Sequence, residues 1–177
     1  DFSRFFGRND TLILGVCNGC QMLAQLKSLI AGAENWPIFI KNKSEQFEAR
    51  TSMVEIQESD SIWFNGMAGT RAPVAVAHGE GRALFENENQ QGAMLSSNQT
   101  ALHFVDNNGD KTENYPHNPN GAVDGLTAVT ALNGRVLAMM PHPERVCRAI
   151  TNSHIPAEYD EYSVWMRMFR NARKWVG

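Results

Sequence analysis

The chain has 177 residues, of which 42% are hydrophobic and 20% charged, enough for one domain with a real core. A formal charge of −3, with no basic stripe interleaved with aromatics, speaks against nucleic acid or an anionic membrane as partner. No apolar run approaches the roughly 18–20 residues of a membrane span, and three cysteines do not make a disulfide framework, so a reducing cytoplasm is the expected setting.

The opening DFSRFFGRND lacks the apolar core of a signal peptide, and its first residue is Asp rather than Met. It therefore reads as a start partway through something longer, or as a processed end. TLILGV, 11–16, reads as a buried strand of a parallel sheet. The segment after CNG, QMLAQLKSLI, carries Met22, Leu23, Leu26, Leu29 and Ile30 at helical spacing, with Gly32 as a stop. PIFIKN, ARTSMVEIQ, APVAVAH and LHFVDN read as strands, and Asn108-Gly109 as a hairpin turn between LHFVD and DKTENY. ENENQQG, 86–92, reads as a solvated loop, and YPHNPNGAVDG, 115–125, as a loop dense in turn formers. GLTAVTALNGRVLAMM reads as two strands joined at Asn133-Gly134, the second emptying into PHPER. In the last segment Trp165, Met168, Phe169, Ala172 and Val176 form the apolar stripe of a helix packed on the body. No repeat or linker interrupts the chain, so one domain is expected over 1–177.

Cys17-Asn18-Gly19-Cys20 admits three readings. A structural zinc site needs four ligands. Only Cys147 is left among the cysteines and no second close pair of Cys or His exists, so no metal is expected. A redox pair needs CxxC at a helix start, which this is. The third reading uses more of the residues: Gly15-Val16-Cys17-Asn18-Gly19 has the G-x-nucleophile-x-G form of an elbow between strand and helix. Small neighbours on both sides relieve crowding, and the helix N-terminus favours thiolate and lowers the pKa. The Asn18 N–H can then face an oxyanion. Cys20, one turn on, reads as a small buried hydrophobe.

A cysteine nucleophile needs a histidine, and the histidine an orienting acceptor. His103 lies inside an apolar strand and reads as structural; His117 and His154 lie in polar loops. His142 follows RVLAMM between Pro141 and Pro143, with Glu144 two residues on. If strands 11–16 and 135–140 are parallel neighbours, their C-terminal ends meet where open α/β sheets place their sites. From the residues alone, His142–Glu144 is either this catalytic pair or a satisfied loop histidine. His78, in AHGEGR, also follows an apolar strand and reads as part of a ligand loop or as a second base.

GVCNGCQM with a distant PHPER resembles the class I, triad-type glutamine amidotransferases, which carry a G-x-C-x-G-x-Q elbow and a late H-x-E. NKSEQFEAR, VAHGEGR, YPHNPNG, MMPHPERV and FRNAR extend the resemblance to the glutaminase domain of phosphoribosylformylglycinamidine synthases, in their large single-chain form. It implies a flavodoxin-like α/β fold and hydrolysis of glutamine to glutamate and ammonia. Cys17 would be the nucleophile, His142 the proton carrier and Glu144 its orienter, with the Asn18 N–H as oxyanion donor. Gln21, His78 and Gly79 would hold the substrate, the last two largely through backbone. The ammonia would pass to synthetase domains of the same polypeptide, where ATP and magnesium would act on formylglycinamide ribonucleotide in purine biosynthesis. No phosphate-cradling loop is visible here and no cofactor is expected in this segment. In the family further βα units precede the elbow strand, one of them supplying a second oxyanion donor. Only ten residues precede TLILGV, so a chain cut inside the domain is expected, and a poor enzyme alone, since one lost donor costs about 10²–10³ in rate. The sequence leaves the roles of Asn42, Ser44 and Arg50 in NKSEQFEAR open, a structural place at a strand entry being the plainest reading. The competing classes are another cysteine hydrolase of similar fold, such as a peptidase, and a Cys17–Cys20 redox module.

Overall fold

A computed structural model describes residues 1–177. A short helix, α1 (Phe2–Phe6), leads into β1 (Ile13–Val16) and then α2 (Asn18–Gln25). The ribbon strand β2 (Ile38–Ile40) is followed by the long pair β3 (Glu48–Ile56) and β4 (Arg71–His78), then β5 (Arg82–Leu84) and α3 (Glu88–Leu95). β6 (Thr100–Phe104), β7 (Leu126–Ala131), β8 (Val136–Met139) and α4 (Met166–Val176) complete the chain. The main sheet has the order β1-β8-β7-β6-β3-β4, and β2 and β5 form a separate ribbon.

The α/β class read from the sequence is the one observed. Parallel pairing is confined to β1 and β8, where Ile13 faces Val136 and Val16 faces Met139; the other pairs of the main sheet are antiparallel. The sheet also curls. The His142 N–H, just past β8, donates to the Ala75 carbonyl of β4 at 2.8 Å, although these strands stand far apart in sheet order. The curl brings the ends of β1, β8 and β4 to one rim.

Each face of the sheet has its own core. On one side α2 buries Cys20, Leu23 and Ala24 against Trp36, Val129, Ala138 and Met140. On the other, Trp63, Phe64, Met67, Trp165 and Met168 pack over Val54, Val74, Leu102 and Met139. Each fully buried side chain of this size contributes about 1.5–3 kcal/mol, so α2 is held against β1 and β8 by its inner face.

The elements depart from the sequence reading at several places. α2 stops at Gln25 and continues as a 3₁₀ turn, Lys27–Leu29. The tighter winding changes the phase of the stripe beyond Gln25, leaving Leu29 exposed while Ile30 is buried; Met22, inside α2, is exposed as well, beside the buried Leu23. The 86–92 segment is not a loop. Asn87 caps α3 by accepting the Gln90 N–H at 2.9 Å, and Gln90 and Met94 turn inward. Asn108-Gly109 does form a turn, but DKTENY adds only the single bridge Val105–Lys111. At Leu132-Asn133-Gly134 the φ values are 56°, 54° and 78°, and the expected β7–β8 hairpin forms. The α4 stripe holds at Trp165, Met168, Phe169 and Ala172 but runs out at Val176, which is exposed.

Candidate active site

β1 turns into α2 at Cys17, whose backbone sits at φ 54°, ψ −109°, a left-handed region that a residue with a Cβ seldom occupies. The turn is held by the Cys17 N–H donating to the Met139 carbonyl of β8 at 2.9 Å and by the Gln21 N–H donating to the Cys17 carbonyl at 3.1 Å. Only one flanking glycine is needed for space. A Cβ at Gly15 would lie 2.5 Å from Leu23 Cδ1 and 2.6 Å from the Gly19 carbonyl oxygen, whereas one at Gly19 would meet nothing. Gly15 therefore lets the helix press onto its own strand; crowding at position 19 is not what glycine relieves there.

The state of the thiol also differs from the sequence reading. Burial pushes the Cys17 thiol above its ordinary value, and the Glu144 carboxylate adds to this; the Asn18 N–H and the Arg145 guanidinium act the other way without prevailing. Cys17 thus rests as a neutral thiol and needs a base to become a nucleophile. Cys20 is wholly buried in the core, where its thiol is pushed well up, first by burial. A buried neutral thiol packed with Leu23 and Ala24 is the small hydrophobe the sequence suggested.

A candidate base, His142, follows the neighbouring strand β8. Because β1 and β8 run parallel and in register, both chains leave the sheet at the same rim. His142, 8% exposed, is stiffened by Pro141 and Pro143 and tied to β4 through the Ala75 carbonyl. Its Nδ1 lies 2.6 Å from Glu144 Oε1. A carboxylate there fixes the proton on Nδ1 and leaves the Nε2 lone pair open; Nε2 is buried and has no partner within the chain. The pair can serve as a base through an oriented, unoccupied nitrogen.

The third component is the loop 78–81, HGEG. The His78 ring is 4% exposed, with Nε2 at 2.9 Å from Asn120 Oδ1, and burial holds its pKa below the ordinary value, so it stays neutral. A Cβ at Gly81 would come within 2.3 Å of His78 Nε2, so the loop can fold over the ring only with glycine there. With the ring buried, the loop presents backbone: no group of the chain accepts the Gly79 or Glu80 N–H. Gln21 Nε2 donates to both the carbonyl and the carboxylate of Glu80, each at 3.2 Å, joining the loop to the first turns of α2. A cavity of about 660 Å³ opens beside the loop, lined by Gly79 and Glu80 together with Lys41, Asn42, Phe47 and Arg82; it includes neither Cys17 nor His142.

Residues 1–176 match the CobB/CobQ-like glutamine amidotransferase domain family. The chain belongs to that family. Its fold is shared with PurLQS from Thermotoga maritima, at 19% identity and a TM-score of 0.65 over 94% of this chain and 62% of that one. It is also shared with a Thermoplasma acidophilum protein named for GMP synthase, at 15% identity and a TM-score of 0.53 over 99% of this chain. This chain spans 62% of the length of each. At these identities the likeness is one of fold.

This glutamine amidotransferase domain brings Cys17, the Asn18 N–H, Gln21, His142 and Glu144 to one rim of its sheet, with Gly79 on the adjoining loop. The His78 side chain lies beneath that loop. No three His, Cys, Asp or Glu side chains are grouped to hold a metal ion, and no helix is long and apolar enough to cross a membrane. His103 is fully buried, with Nδ1 at 2.6 Å from the Asp124 carbonyl, the structural role read from its strand. Sequence reasoning left Asn42 at a strand entry and passed over Asn120 and Glu80. Asn42 and Asn120 lie 36 and 39 residues from the loop residues they bond, and nothing local in NKSEQ or PHNPNG marks them as its partners.

Proposed function

We propose that residues 1–177 are the glutaminase domain of a large single-chain phosphoribosylformylglycinamidine synthase. In this reading ammonia from glutamine passes to synthetase domains of the same polypeptide, which use ATP and magnesium to convert formylglycinamide ribonucleotide to the amidine in the cytoplasm. The observation that carries it is a strained-elbow cysteine on β1 whose parallel neighbour β8 delivers an oriented His–Glu pair to the same rim. Membership of the amidotransferase family and the spread of NKSEQFEAR, VAHGEGR, YPHNPNG and MMPHPERV along the chain support the finer assignment.

The chemistry follows from the atoms in place. His142 Nε2 takes the Cys17 proton as Sγ attacks the carboxamide carbon of glutamine. The oxyanion that forms accepts the Asn18 N–H. Collapse of the tetrahedral species breaks the C–N bond, and His142 returns its proton to the leaving nitrogen, which departs as ammonia. The glutamyl thioester left on Cys17 is then attacked by water, which His142 deprotonates, giving glutamate and the free thiol. Glu144 stabilises the imidazolium at each stage. In this reading the unpartnered Gly79 and Glu80 N–H groups and the Gln21 side chain receive the amino-acid end of the substrate.

The test uses the full-length protein with formylglycinamide ribonucleotide, ATP and magnesium. Glutamine is expected to support amidine formation with one glutamate released per amidine. Glutamate release without amidine formation, under conditions where added ammonia also yields none, would move the domain to another synthetase.

A further inference from the structure

We propose that Asn42 is a positioning residue that holds the 78–81 loop in the shape that recognises the amino-acid end of glutamine; this rests on the glutaminase reading above. Asn42 is 2% exposed and all of its polar groups are committed. Its Nδ2 donates to the His78 carbonyl at 2.9 Å and the Gln46 carbonyl at 3.3 Å, its Oδ1 accepts the Gly81 N–H at 2.9 Å, and its own N–H donates to the Gly79 carbonyl at 2.9 Å. One residue therefore ties three of the four loop residues. From the other side Asn120 donates to the Gly81 carbonyl at 2.8 Å and accepts from His78 Nε2, and the Lys43 N–H donates to the Asn120 carbonyl.

The consequence is directional. The carbonyls of His78, Gly79 and Gly81 and the N–H of Gly81 are all drawn toward the two asparagines, which leaves the Gly79 and Glu80 N–H groups free. Glu80 in turn meets Gln21, one helical turn beyond Cys17. The α-amino nitrogen and the carboxylate carbon of glutamine lie four bonds from the carboxamide carbon, close to the ~5.4 Å of that turn when the chain is extended. With the carboxamide at Cys17, the charged end of the substrate falls within reach of this loop. Asn42 touches neither the thiol nor His142, so it acts through the loop alone.

The variants are Asn42→Asp, which keeps the shape and the acceptor for Gly81 but sets an oxygen against the two carbonyls, and Asn42→Ala. Both are made in the full-length protein. The expected result is a KM for glutamine raised about tenfold or more, with kcat changed by less than about threefold. Labelling of Cys17 by a glutamine-shaped diazoketone should slow in parallel, while alkylation by iodoacetamide, which has no amino-acid end, keeps its wild-type rate. An unchanged KM in Asn42→Asp overturns the proposal, as does an iodoacetamide rate that falls with the diazoketone rate. Loss of folding in both variants also overturns it, by assigning Asn42 to the fold. Failure of the diazoketone to label the wild-type protein at Cys17 is a different outcome, in which the glutaminase reading fails and this inference falls with it.

Discussion

Cys17→Ser in the full-length protein is expected to lower glutamine-dependent amidine formation by at least about 10³-fold while leaving ammonia-dependent formation at its wild-type rate. Serine keeps the size of the side chain, so the strained elbow and its bond to the Met139 carbonyl survive. What is lost is a nucleophile that His142 can ionise near neutral pH. Cys20→Ser makes the contrast. That thiol is buried with Leu23 and Ala24, so a hydroxyl there costs about 1–3 kcal/mol of stability and little activity. Parallel measurement of glutamate release and thermal unfolding separates the two. Equal loss of activity in both variants would restore the redox reading of the pair.

The second large effect is expected at the base. His142→Gln removes the nitrogen proposed to take the Cys17 proton. Because burial pushes that thiol up and no standing thiolate exists to compensate, kcat/KM should fall by about 10³ or more. The residual alkylation of Cys17 should then rise with pH beyond the ordinary thiol range, the direction set by the raised pKa. Glu144→Gln should cost less than His142→Gln. Its carboxylate is half exposed and also lies 3.7 Å from the Arg145 guanidinium, so water and Arg145 share its charge with the imidazole. A Glu144 variant as inactive as the His142 variant would mean that the carboxylate does more than orient.

Much of this site was legible in the sequence because its parts are local. The G-x-C-x-G spacing marks an elbow wherever a strand meets a helix, and P-H-P-E places an acceptor two residues from the imidazole. That His142 and Cys17 share a rim followed from one assumption, parallel pairing of 11–16 with 135–140, which the β1–β8 register bears out. The misses have a common cause. The exposed Leu29 follows from a helix that tightens after Gln25, and the hidden α3 from an Asn87 cap and a buried Gln90, neither of which shows in apolar periodicity. The direction of the Cys17 pKa shift was misread because a helix N-terminus is visible in sequence and the burial that outweighs it is not. The Asn42 and Asn120 clamp exists only once β2–β3 and the 115–121 loop close over HGEG.

The proposed glutaminase reaction requires that Cys17 attack a carboxamide carbon carried by a glutamine-shaped substrate. Treating the full-length protein with a glutamine-mimicking diazoketone and mapping the modified peptide by mass spectrometry tests it most directly. A single adduct on Cys17, suppressed by excess glutamine, is the predicted result. An adduct on Cys20 or Cys147, or labelling of Cys17 that glutamine does not slow, would contradict it.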